Sequence, residues 1–254
     1  MKVTLLQMDI AWAQPEANVA KAEALIRQSP GADLYVLPEM WATGFVVAPE
    51  GIAEEERQSI ALQWMKDTAR QRQCAISGSL AVRVDDGSYR NRHYFVTPGE
   101  DEPQYYDKRH LFAHGHEDQH YQRGTDPVVV TWKGARLLLQ TCYDLRFPVF
   151  SRYGRAGTYD AIVYVANWPA KRQPAWDILT RARAIENQCY VVAVNRVGSD
   201  SVCEYGGGSV VAGPIGHALS VCNSEEQTLD VVLDMDKLES QRQHFRVLDD
   251  RDEP

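Results

Sequence analysis

The chain reads as an α/β layered domain whose sheets mix parallel and antiparallel strands. Two observations predict this. Short β-branched runs recur from end to end, each bounded by Pro, Gly, Asn or Asp, with stretches at helical spacing between them. From 74 to 142, however, strands follow one another without a helix, which purely parallel pairing does not allow.

Taken in order, the runs at 3–8 and 33–38 flank a helix over 16–29, where Val19, Ala22, Ala24, Leu25 and Ile26 lie on or near one side. A second helix is expected over 52–72, with Ile60, Leu62, Trp64, Met65 and Ala69 set among Glu and Arg. Strands follow at 74–82, 92–97, 128–132 and 136–142, and an alternating strand ends at Lys108. A short helix is expected to open at Pro148 and to end near Gly154 to Gly157. The strand at 161–166 leads to a helix over 174–188, with Pro174 at its start and Trp176, Leu179, Ala182 and Ile185 near helical spacing. Runs at 189–195, 208–213 and 229–235 complete the sheets, and an acidic tail at 249–253 is expected to be solvated. With no linker or low-complexity segment in 254 residues, a single domain over 1–254 is the reading.

Composition excludes several classes. With 27 basic and 35 acidic residues the net charge is −8, and no basic block interrupts it, which argues against nucleic acid or an anionic membrane as partner. No apolar run approaches the ~20 residues of a membrane span. The uncharged stretch from Tyr205 to Ser224 is long enough but is broken by Gly206, Gly207, Gly208, Pro214 and Asn223. The first residues do not form a signal peptide, and five widely spaced cysteines with no C-x-x-C pair suggest neither a disulfide framework nor a zinc ribbon. A cytoplasmic protein is expected.

Three residues at strand ends carry the chemistry. Cys142 follows the apolar run 135–141 and precedes a turn into what reads as a helix; the positive end of a helix would lower its thiol pKa. A free cysteine is otherwise among the most buried residue types. Glu39 ends an apolar strand, where burial raises a carboxyl toward the range of general acid–base catalysis. Lys108 stands among aromatics, able to aim an ammonium at a developing oxyanion. Each has a plain structural alternative: a surface loop for Glu39, a solvated strand end for Lys108.

In the order Glu39, Lys108, Cys142, the chain resembles the nitrilase or carbon–nitrogen hydrolase superfamily. The resemblance rests on L-P-E-M at 37–40, Y-D-K-R-H-L-F at 106–112, C-Y-D-L-R-F-P at 142–148, A-N-W-P at 166–169, and R-A-R-A-I-E-N-Q at 181–188 running into N-R-V-G at 195–198. T-G-F at 43–45 and N-W-P are similar to the ω-amidase branch. The resemblance implies a four-layer α-β-β-α sandwich of two mixed β-sheets, and a catalytic set of Glu39, Lys108 and Cys142 with Glu117 as second glutamate. The segment at Glu117 departs from the aspartate commoner after H-L-F. It also implies a homodimer or higher homo-oligomer, and a small amide as substrate: the terminal amide of 2-oxoglutaramate or 2-oxosuccinamate, or with the same chemistry deaminated glutathione or an N-carbamoyl compound. No metal or organic cofactor is required. A true nitrilase fits less well, because Tyr143-Asp144 follows Cys142 where nitrilases usually carry Trp-Glu. From another class, a catalytically silent binding protein on this fold would normally lose one of the three residues.

Around this set, the backbone N–H of Tyr143 is the expected second oxyanion donor, and Phe45, Tyr143 and Trp168 the expected pocket walls. Arg146 and Arg172 are candidates for a substrate carboxylate, with an Arg146–Asp144 ion pair as the structural alternative. His110, His114, His116 and His120 invite a metal reading, set aside because Gly115 and the polar surroundings read as a loop and no cysteine pair accompanies them. Gly206-Gly207-Gly208 lacks the phosphate-loop lysine and reads instead as a tight turn near the active site.

Overall fold

The computed structural model describes residues 1–252. Six strands open the first sheet: β1 (Lys2–Gln7), β2 (Leu34–Val36), β3 (Glu54–Glu55), β4 (Ala75–Arg83), β5 (Tyr89–Val96) and β6 (Gln104–Asp107). The second is built from β7 (Val128–Trp132), β8 (Ala135–Thr141), β9 (Ala161–Val165) and β10 (Tyr190–Val194). A two-stranded ribbon, β11 (Val197–Ser199) and β12 (Glu204–Gly206), precedes β13 (Val210–Ala212) and β14 (Ala218–Val221), which complete the second sheet. The chain then returns to the first with β15 (Gln227–Val232). The orders are β15-β1-β2-β4-β5-β6, with β3 beside β4, and β14-β13-β10-β9-β8-β7. Each sheet has a parallel centre, β1-β2-β4 or β8-β9-β10, and antiparallel margins.

Alternation along the strands decides the layers. Val3 and Leu5 of β1 meet Leu137 and Leu139 of β8 between the sheets. Leu6 faces out, onto helices α1 (Pro15–Gln28) and α2 (Ile60–Arg72), and Leu138 faces α3 (Gln173–Glu186). Because both faces of both sheets are covered, their central strands are predominantly apolar on both faces, as in Ala161–Val165 and Tyr190–Val194. The result is the four-layer α-β-β-α sandwich.

Some elements differ from the sequence reading. The helix expected over 52–72 starts only at Ile60, where the Ser59 hydroxyl accepts the Leu62 N–H at 3.0 Å as an N-cap. No helix opens at Pro148: the segment is a series of turns, with Gly154 and Gly157 at φ of +92° and +89° and the Tyr153 N–H given to Asn187 Oδ1. Helix α4 (Met235–His244) was not expected, since it buries only Leu238; its signal is the Asp234 cap on Lys237 N–H. The close approach at Gly207 and Gly208 is to the side-chain amides of Gln7 and Gln173, each 2.5 Å from where a Cβ would lie, and not to the active site. In the acidic tail, 249–252 are exposed and Glu253 lies outside the described residues.

Candidate active site

The strand ends of both sheets bring the predicted residues together. Glu39 follows β2 by three residues, Lys108 follows β6 directly, and Cys142 follows β8 directly. Glu39 and Glu117 are fully buried and Lys108 is 1% exposed. Lys108 Nζ donates to Glu39 Oε1 at 2.8 Å and to Glu117 Oε2 at 2.8 Å. Glu117 Oε2 also accepts the Phe112 N–H at 2.6 Å, and Glu39 Oε2 accepts the Asn167 N–H at 3.0 Å. Burial alone would strip the Lys108 proton, but the two flanking carboxylates outweigh it and raise its pKa above the ordinary value. Burial raises the Glu117 pKa; Lys108 opposes that and Glu39 adds to it.

Cys142 begins a single 3-10 turn, Cys142–Arg146, in place of the longer helix expected there. Its φ is +44°, a left-handed conformation costly for a side chain with a Cβ. The thiol donates a long contact of 3.9 Å to the Asn167 carbonyl. Its pKa lies well above the ordinary value, because of burial first and Glu39 second, with Lys108 opposing. This corrects the expectation of a thiol acidified by a helix end: one short turn does not offset full burial. The resting group is a thiol, and a base must take its proton.

Asp144 holds this turn in place. Fully buried, it accepts the Thr141 N–H at 2.9 Å, the Tyr106 hydroxyl at 2.7 Å and the His110 N–H at 3.0 Å. Tyr106 and His110 bracket Lys108 in sequence, so one carboxylate ties the nucleophile's turn to the lysine's segment. That occupation removes the Arg146–Asp144 pair considered above. Arg146 instead lies 5.0 Å over the Trp168 ring and Arg172 5.0 Å over Phe112. Among the described residues neither guanidinium has an acidic partner within 4.0 Å.

Both arginines line a cavity of about 630 Å³ together with Lys108, Cys142, Phe45, Tyr143 and Trp168. Phe45 sits 5.4 Å from Lys108 Nζ, and Tyr143 stacks edge-on with Phe112 at 5.1 Å. Trp168 is fixed by donating from Nε1 to the Arg172 carbonyl at 2.8 Å. The Tyr143 N–H lies in the first turn of the 3-10 segment, where helix geometry supplies no acceptor. The four histidines diverge: His110 stacks on Phe147 and bonds Asp144, His114 packs edge-on against Phe112, His116 meets Gln119, and His120 faces Glu50.

Asn91, Ser79, Asp144 and Asn167 escaped sequence reading as site residues. A signal existed for Asn91, a polar residue in mid-strand whose alternation sets it on the same face as His93 and Phe95.

The carbon–nitrogen hydrolase family model matches residues 2–243. The chain is 42% identical to the ω-amidase YafV of Escherichia coli over 100% of this chain and 97% of that one. It is 34% identical to the 2-oxoglutaramate amidase of Bacillus subtilis, covering 98% and 96%. The crystal structure of XC1258 from Xanthomonas campestris, a CN-hydrolase superfamily protein with an arsenic adduct in its active site, superposes with a TM-score of 0.94 at 36% identity, covering 99% of this chain and 97% of that one. The chain belongs to the carbon–nitrogen hydrolase family. It is an amide-hydrolysing enzyme with the nitrilase fold, and no helix among its described residues is long and apolar enough to cross a membrane.

Proposed function

We propose that Cys142 is the nucleophile of an ω-amidase that hydrolyses the terminal amide of a small 2-oxo acid, 2-oxoglutaramate or 2-oxosuccinamate, to the dicarboxylate and ammonia. One observation carries it: the buried Glu39–Lys108–Glu117 cluster opens beside Cys142 into a cavity that also holds two guanidinium groups without acidic partners. The name of the relative from Bacillus subtilis, 2-oxoglutaramate amidase, supports the first of these substrates.

The chemistry follows from the charges. Glu39 takes the thiol proton as Cys142 Sγ attacks the amide carbon, so the site's net charge is unchanged while the anion moves from the carboxylate, through the sulfur, to the former carbonyl oxygen. Lys108 Nζ and the Tyr143 N–H hold the tetrahedral oxyanion, each such donor contributing ~3–4 kcal/mol. Glu39 returns the proton to the nitrogen, the C–N bond breaks, and ammonia leaves a thioester on Cys142. A water then attacks the thioester carbon, giving its proton to Glu39; the C–S bond breaks and the sulfur regains the proton. Glu117 keeps Lys108 charged and aimed throughout. Arg146, with Arg172 beside it, receives the substrate's far carboxylate, while Phe45, Tyr143 and Trp168 exclude water.

The protein works as a homodimer or larger homo-oligomer in the cytoplasm. Ile178 and Ile185, seven residues apart on one face of α3, are 67% and 52% exposed beside Ile215 at 65%, an apolar face suited to a second copy. Five free thiols suit a reducing compartment.

The test is ammonia release from 2-oxoglutaramate, with Cys142→Ala as control and deaminated glutathione and an N-carbamoyl amino acid in parallel. Turnover of the oxo acid amide, lost in the variant, is expected. Preference for another amide would keep the mechanism and overturn the substrate. Silence across the panel would favour a binding protein.

A further inference from the structure

Between the two buried glutamates lies a side-chain amide that the mechanism above does not use. Asn91 on β5 is 1% exposed, and its Nδ2 donates to Glu39 Oε1 at 2.8 Å and to Glu117 Oε1 at 2.9 Å. Both of its hydrogens are therefore committed, one to each carboxylate. Its orientation is fixed from behind. The Met40 N–H donates to Ser79 Oγ at 2.9 Å, which leaves the Ser79 proton to go to Asn91 Oδ1 at 2.9 Å. With Oδ1 accepting, Nδ2 must face the glutamates. Met40 is the residue after Glu39 and has φ of +43°, so the bonds form a closed ring from the Glu39 carboxylate through Asn91 and Ser79 back to the Glu39 turn.

We propose that Asn91, oriented by Ser79, is a positioning residue that keeps Glu39 as a proton-accepting carboxylate and directs the thiol proton to its Oε2. A donor aimed at a carboxylate favours the charged form. Glu39 Oε1 receives two donors, Asn91 and Lys108, whereas Oε2 receives only the Asn167 N–H. Oε2 therefore holds the freer lone pair, and Asn167 is also the residue whose carbonyl accepts the Cys142 thiol. Without Asn91, two buried carboxylates would face each other across one ammonium, and a proton shared between them would be the cheaper state. A protonated Glu39 cannot start the reaction. The titratable groups facing Glu39 are Lys108 after β6, Glu117 in the turn beyond it, Cys142 after β8, and Tyr121, whose hydroxyl is already given to the Val46 carbonyl.

This inference rests on Cys142 being the nucleophile, so its test needs a readout that does not depend on the substrate. Alkylation of Cys142 by iodoacetamide, followed by peptide mass from pH 5 to 9, supplies one; the pH profile of kcat for ammonia release supplies the second. In Asn91→Asp, a third carboxylate replaces the amide donors. The acid limb of both profiles is expected to move up by about one pH unit or more, and kcat at neutral pH to fall ~100-fold with KM nearly unchanged. Ser79→Ala should move the limb in the same direction by less, and Ser79→Thr, which retains the hydroxyl, should restore it. If Asn91→Asp does not fold, the Ser79 pair decides. An unmoved acid limb in variants that lose only thermal stability would overturn the proposal. A wild type silent on 2-oxoglutaramate whose alkylation limb still moves in the variants would overturn the substrate reading and support this one.

Discussion

Two buried thiols sit at opposite ends of the second sheet, Cys142 after β8 and Cys189 just before β10, and they belong to the same apolar cluster. Burial pushes both pKa values up, and each sulfur makes a 3.9 Å contact with a backbone carbonyl. At Cys189 the accepting carbonyl belongs to Arg183 and the charges acting on the thiol, Arg242, Glu186 and Asp160, serve other ion pairs. At Cys142 a carboxylate and an ammonium act on the sulfur from a salt-bridged cluster, the backbone is left-handed, and a cavity meets the side chain. Burial thus makes an inert thiol by default. What separates the nucleophile is a base and a cation enclosed with it.

The sharpest way to break this comparison is to remove each sulfur. Cys142→Ala is expected to reduce ammonia release by ~10⁴-fold or more while leaving the thermal midpoint within a few degrees. Cys189→Ala should keep turnover within about twofold and lose ~1 kcal/mol of stability in urea unfolding, as a small core cavity does. Comparable activity losses in the two would abolish the distinction.

Removing the cation tests the enclosure itself. Lys108→Met leaves Glu39 and Glu117 buried with no counter-charge, and urea unfolding at neutral pH should show a loss of ~3–5 kcal/mol along with the activity. The deficit should shrink as pH falls, because the carboxylates can then take up a proton. A variant as stable as the wild type would contradict the ionised cluster.

At the outer end of the cavity, Arg146→Gln should raise KM for 2-oxoglutaramate ~10- to 100-fold, Arg172→Gln less, and neither should alter hydrolysis of an uncharged amide by more than about twofold. Equal effects on both substrates would make the arginines structural.

An effect on stability alone concerns His93, which joins the sheets by bonding Ser77 Oγ at 2.7 Å and the Gln140 carbonyl at 3.2 Å, two residues before Cys142. Burial lowers its pKa from 6.5 to about 3, so the folded chain keeps it neutral while the unfolded chain protonates it. The stability this contributes is complete above pH 6.5 and is lost as pH falls toward 3, by an amount on the order of a few kcal/mol. Urea unfolding at pH 7 and pH 5 should show that loss in the wild type and a smaller one in His93→Gln.

Much of this was legible in the sequence because the parallel strands are buried on both faces and announce themselves as apolar runs ending at charged or nucleophilic residues. Glu39 and Cys142 each follow such a run, whereas Lys108 follows the antiparallel edge strand β6 and is marked instead by the aromatics around it. What stayed hidden depends on partners distant in sequence. Asn91 meets Glu39 across 52 positions and Asp144 meets Tyr106 across 38, and a polar residue in mid-strand, the one local mark of Asn91, does not name its partner. The turns after Pro148 resemble a helix start, and the Tyr153 N–H goes instead to the Asn187 side chain, 34 residues away. Thiol ionisation was misjudged for the same reason, since desolvation by the whole fold outweighs one turn of aligned peptides.

The measurement that tests the central claim most directly is the mass of the protein quenched during turnover of 2-oxoglutaramate, followed by peptide mapping. A covalent acyl group on the peptide carrying Cys142, absent from those carrying Cys74 and Cys189 and decaying when substrate is exhausted, is the predicted result. Steady ammonia release with Cys142 unmodified at every time point, and retained in Cys142→Ala, would contradict it.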